Sequence, residues 1–125
     1  MSTNTSPQFF CRRRPYTLYG YPKVIDGFAR NREVILFDNA GVASSGGEVP
    51  TSIEGIAKVG INLISALGLT KVDLLGFSTG SLIAQEVTVE RPDLVCRLVL
   101  VGSAPRGGVG MATLPPEFNA IFALL

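Results

Sequence analysis

Three short apolar runs, separated by stretches long enough to hold a helix, constrain the fold of this 125-residue chain more than any other feature. They are Glu33-Val34-Ile35-Leu36-Phe37-Asp38, Lys71 to Phe77, and Cys96-Arg97-Leu98-Val99-Leu100-Val101. Short apolar runs flanked by charge and turn residues read as strands buried in a parallel sheet. Between the first two runs, Ile53, Ile56, Ala57, Gly60, Ile61, Ile64 and Leu67 recur at helical spacing. Thr51-Ser52-Ile53-Glu54 ahead of them reads as a capping box with Thr51 at the cap, and Gly68 as a left-handed stop. A second helix is expected from Ser78 to about Glu90, ended by Arg91-Pro92. Parallel neighbours need crossovers of a dozen or more residues, and those crossovers are right-handed. The pattern therefore predicts an α/β chain, a parallel sheet with helices on both faces.

The ends are less regular. Residues 1–15 are polar and aperiodic, with Arg12, Arg13 and Arg14 and no acid before Asp26. They read as a disordered basic tail, leaving 16–125 as one partial domain. Tyr16 to Tyr21 is a candidate strand that Pro22 ends, and Val24 to Ala29 a helical turn or two. Residues 39–50 and 106–116 read as Gly-rich loops, and Pro115-Pro116-Glu117 as the opening of a last helix.

A net charge of +1 argues against a dedicated nucleic-acid surface. No run approaches the roughly 18 apolar residues of a membrane span. Cys11 and Cys96 lack metal-ligand spacing and read as free thiols of a reducing compartment, hence a cytoplasmic chain. The Arg-bearing, acid-free start offers organellar import as the alternative. Asp38-Asn39 reads as a turn rather than a metal site. Gly102 to Gly108 lacks the G-x-G-x-x-G order and any Walker-type lysine, so a nucleotide site is not expected.

The chemistry gathers at Gly76-Phe77-Ser78-Thr79-Gly80. A G-x-S-x-G sequence between a strand and a helix is the pattern of a nucleophile elbow, which presents a serine hydroxyl on a strained turn. The glycines permit close approach of strand and helix. The Thr79 N–H falls at a helix N-terminus, suited to a developing oxyanion. The competing reading is a generic Gly-rich turn with Ser78 acting only as a helix cap. A serine nucleophile needs a base, usually histidine, and histidine is absent from all 125 residues.

In four pieces, in order, the chain resembles the α/β-hydrolase fold family, in its single-domain esterase, lipase and haloperoxidase-like branch. Val34 to Gly41 is similar to the family's fourth strand and Asp-x-x-Gly turn, and Thr51 to Leu67 to the helix after it. Val72 to Gln85 resembles the fifth strand, elbow and next helix. Arg91-Pro92 and Leu98 to Val101 resemble the passage into the sixth strand. The resemblance implies a serine hydrolase acting on a small-molecule ester or related acyl bond. Ser78 would be the nucleophile, Thr79 would donate one oxyanion N–H, and no cofactor or metal would be needed. Leu18-Tyr19-Gly20-Tyr21-Pro22 echoes the turn that carries the second oxyanion donor, which would make Tyr21 N–H that donor. The family's acid and histidine follow later strands, so the fold is expected to be partial here, cut before the lid, with no acid or base assigned. Asp38 and Asp73 lie on other strands than the family's acid. The alternative is a catalytically inactive fragment or an interaction protein, self-associating through an exposed sheet edge.

Overall fold

The computed structural model describes residues 8–12, 22–42 and 45–105. Their elements run β1 (Gln8–Arg12), α1 (Pro22–Ala29), β2 (Val34–Asp38), α2 (Ile53–Ala66), β3 (Val72–Phe77), α3 (Thr79–Glu90) and β4 (Val95–Val101). The strands form a single sheet in the order β2-β1-β3-β4, and every pairing is parallel.

The expectation of a disordered tail over residues 1–15 is corrected at Gln8–Arg12, which forms an inner strand. Gln8 aligns with Val34 of β2 on one side and with Asp73 of β3 on the other. Phe9-Phe10-Cys11 is too short an apolar stretch to show a period. Its ladder partners come from strands far along the chain, so nothing local announces it. The strand expected at Tyr16–Tyr21 and the helix expected from Pro115 lie outside the described residues.

Strand order fixes where a site can form. From β1 the chain steps outward to β2, then returns across β1 to β3 and continues to β4. Right-handed crossovers in these opposite directions assign α1 to one face and α2 and α3 to the other. The contacts agree: α2 packs on α3, α3 on β1, β3 and β4, and α1 on β2. The winding of the sheet reverses between β1 and β3, and the carboxyl ends of strands at such a switch point are where open α/β sheets bind ligands.

The core fills the α2–α3 side. Ile56, Ala57, Ile61 and Ile64 from α2 meet Ile83, Ala84 and Val87 from α3 over Val72 and Leu74 of β3, with Leu94 closing the cluster. The helical spacing of the α2 residues is thus the spacing of a buried stripe.

The cap of α2 differs from the expected box. Ser52, in extended conformation at φ −133° and ψ 156°, is the N-cap, and its Oγ accepts the Gly55 N–H at 3.0 Å. Both hydroxyls can cap in isolation; the start of the helix at Ile53 selects Ser52 over Thr51. Ser52→Ala is expected to cost about 1 kcal/mol in urea unfolding, and Thr51→Ala to stay within about 0.5 kcal/mol of the parent. Equal losses at both positions would contradict this assignment. At the other end Gly68, at φ +68°, allows its own N–H to reach Ser65 O and the Leu69 N–H to reach Ile64 O. This is the paired closure of a Schellman stop. The exposed turn from α3 to β4 carries a fork in which Arg91 Nε and Nη2 donate to the two Asp93 oxygens at 2.9 and 2.7 Å. That hydrogen bonding holds the Asp93 carboxyl below its ordinary range, and an exposed pair of this kind adds little to stability.

Candidate active site

Ser78 stands between the last residue of β3 and the first of α3, at φ 53° and ψ −122°. Among the described residues it is the one non-glycine with positive φ. A side chain in such a conformation costs on the order of 1–3 kcal/mol and persists only where the surroundings impose it. The restraints are visible. The Ser78 N–H donates to Val101 O at the end of β4, at 2.9 Å. The Ser78 carbonyl accepts from the Ser81 N–H at 2.9 Å and from the Ser81 hydroxyl at 2.5 Å. Ser81 is fully buried in α3, so its hydroxyl is satisfied by the elbow itself.

Gly76 shows why the turn can be so tight. A Cβ at this position would lie 2.6 Å from both the Gly80 carbonyl carbon and Ser81 Cα, and nearer still to the Gly80 oxygen. Strand and helix therefore touch backbone to backbone, and the elbow's first glycine is a steric requirement.

The Ser78 side chain is exposed and makes no capping hydrogen bond to α3. This disagrees with the reading of Ser78 as a simple helix cap. Thr79, the first residue of α3, carries an N–H that has no acceptor within the helix. A hydroxyl and a helix-terminal N–H therefore sit next to each other at the carboxyl end of β3. Tyr21, expected to donate a second N–H, lies outside the described residues.

The other carboxylates of the sheet stand apart from this point. Asp38 closes β2, with β1 between it and β3, a separation of about 10 Å at sheet spacing. Its carbonyl accepts the Ser45 hydroxyl at 2.8 Å. Asp73 is buried near the start of β3, and its Oδ2 accepts from Arg97 Nη1 across the β3–β4 pair at 3.3 Å. Among the described residues no three His, Cys, Asp or Glu side chains group to hold a metal ion. Cys96 is a free, exposed thiol on β4.

Two participants escaped the sequence reading. The Val101 carbonyl holds the elbow from the neighbouring strand, and Gln85 of α3 donates from Nε2 to Ser103 Oγ at 2.8 Å and to Ala104 O at 3.1 Å. Both act across the β3–β4 boundary, where sequence carries only proximity to Gly102 as a signal.

A sheet with its switch point at the serine elbow defines an α/β hydrolase framework. A family model for the alpha/beta hydrolase fold matches residues 14–122, and the chain belongs to that family. An alpha/beta hydrolase fold protein from Chitinophaga pinensis superimposes with a TM-score of 0.85 at 31% identity, covering 98% of this chain and 44% of that one. RutD of Agrobacterium fabrum, by name a carbamate hydrolase, is 32% identical over 81 residues, which is 63% of this chain and 31% of RutD. A homoserine O-acetyltransferase of Deinococcus radiodurans is 38% identical over 64 residues, 51% of this chain and 19% of the transferase. The chain spans less than half the length of each of these relatives.

Proposed function

We propose that the chain carries the nucleophile half of a serine acyl-transfer site, acting on ester or related acyl bonds. The observation that carries this reading is the conformation of Ser78, held at positive φ with its hydroxyl exposed and uncommitted to the helix. In this reading Ser78 Oγ attacks the acyl carbonyl and the Thr79 N–H receives the developing oxyanion. Collapse expels the leaving group and leaves an acyl-serine. Water then releases the acid, or another acceptor takes the acyl group. The names of the relatives, a carbamate hydrolase and an O-acetyltransferase, fit both endings. The proton leaving Ser78 needs a base, and these 125 residues contain no histidine. By the family resemblance, base and acid stand on later strands. The experiment is covalent labelling with a fluorophosphonate, located by peptide mass spectrometry, on this chain joined to the base-bearing C-terminal strands of a relative. The adduct is expected on Ser78 and is lost in Ser78→Ala; an adduct on Ser52 or Ser103 instead would defeat the assignment.

A second reading, self-association, is favoured by one surface. Phe77 pairs in register with Val101, beside Leu75 with Val99. Phe77, Val99 and Val101 share one face of the sheet, at 51%, 47% and 44% exposure, and β4 is the edge of the described sheet. An apolar edge strand of this kind offers a template to a second copy. Light scattering over a concentration series separates the readings, because a constant monomer mass would exclude this one. The exposed Cys96 thiol is compatible with a reducing cytoplasm. Among the described residues no helix is long and apolar enough to cross a membrane.

A further inference from the structure

We infer that Gln85 is a positioning residue for Ser78, acting through the loop that follows β4; its catalytic meaning rests on the reading of Ser78 as nucleophile. Gln85 lies two helical turns beyond Ser78, and therefore on the same side of α3. Its Nε2 donates to Ser103 Oγ at 2.8 Å and to Ala104 O at 3.1 Å. The Ala104 carbonyl can only accept, so the side-chain amide must turn its NH2 toward the loop. Just upstream, Val101 O accepts the Ser78 N–H at 2.9 Å.

The segment from Val101 to Ala104 is thus pinned at both ends, to Ser78 by its first carbonyl and to Gln85 by its last residues. Between the pins, a Cβ placed on Gly102 would lie 3.9 Å from the Ser78 nitrogen, so the segment passes directly beside the elbow. Ser78 cannot hold its positive φ unaided and requires surroundings that over-determine it. The Val101 carbonyl is one such restraint, and the Gln85 amide keeps the segment that bears this carbonyl against α3. Removing the amide frees the segment and loosens the Ser78 N–H bond, while the core beneath β3 keeps its packing.

The test is hydrogen exchange by NMR on residues 1–125, with the Leu74 and Leu75 amides of β3 as internal markers of global opening. In Gln85→Leu the Ser78 amide is expected to exchange about tenfold faster, the protection two neutral hydrogen bonds supply, with Leu74 and Leu75 unchanged. Gln85→Glu keeps the side-chain length and can accept the Ser103 hydroxyl but cannot donate to Ala104 O, so it is expected to accelerate Ser78 exchange in the same direction by a smaller factor; it decides the matter should Gln85→Leu fail to fold. Unchanged protection at Ser78, or acceleration in step with Leu74 and Leu75, overturns the inference. Exchange is read without turnover, so its outcome is separate from that of fluorophosphonate labelling, which tests Ser78 as nucleophile.

Discussion

Replacing Gly76 by alanine is expected to destabilise the domain by about 3 kcal/mol, the upper range for overpacking a closed contact. The new Cβ would fall 2.6 Å from Gly80 C and Ser81 Cα, and nearer to Gly80 O. These atoms are backbone, in the first turn of α3, and cannot swing aside as a side chain can. Relief requires α3 to lift from β3, and α3 carries Ile83, Ala84 and Val87 of the core. The elbow would be lost with it, since the Ser81 bonds to the Ser78 carbonyl depend on the same close approach. Urea denaturation measures the effect. A loss below about 1 kcal/mol would mean that the elbow relaxes freely and that Gly76 is not a steric requirement.

Two substitutions at Ser78 are expected to remove activity alike, and one of them to raise stability. Under the proposed function Ser78→Ala abolishes acyl transfer, by a thousandfold or more wherever the base is present, as is general for loss of a serine nucleophile (on the order of 10⁶ in a well-studied protease). Ser78→Gly abolishes it equally but is expected to raise stability by about 1 kcal/mol. The conformation at φ 53° and ψ −122° mirrors the extended region, so glycine enters it without penalty. Strain of about 1–3 kcal/mol is relieved, offset by up to about 1 kcal/mol of extra backbone entropy in the unfolded chain. Thermal unfolding of the parent and both variants gives the stabilities, and ester turnover gives the activities. A less stable Ser78→Gly would show that the turn is not strained. Undiminished turnover in Ser78→Ala would remove the serine mechanism.

Sequence by itself determined the parts that rest on local pattern. The apolar runs at residues 33–38, 71–77 and 96–101 became the strands Val34–Asp38, Val72–Phe77 and Val95–Val101, and the stripe from Ile53 to Leu67 became α2, with Ile56, Ala57, Ile61 and Ile64 buried and Leu67 exposed. Gly68 and the elbow glycine Gly76 were equally legible, because positive φ and backbone contact each admit few residues besides glycine. Tertiary structure decided everything that depends on a partner from elsewhere in the chain. Gln8–Arg12 is a strand only because β2 and β3 supply ladders on both sides. Ser52 rather than Thr51 caps α2, because the helix begins at Ile53 and the Ser52 hydroxyl is the one that reaches the Gly55 N–H. Ser78 keeps its hydroxyl outward because a carbonyl from β4 and a buried serine from α3 hold its backbone. Local sequence encodes the preferences of a segment. The conformation of the elbow is an unfavourable local state held on one side by the nearby Ser81 and on the other by a bond from a distant strand, and no pattern within Gly76–Gly80 could reveal that Val101 would make the latter.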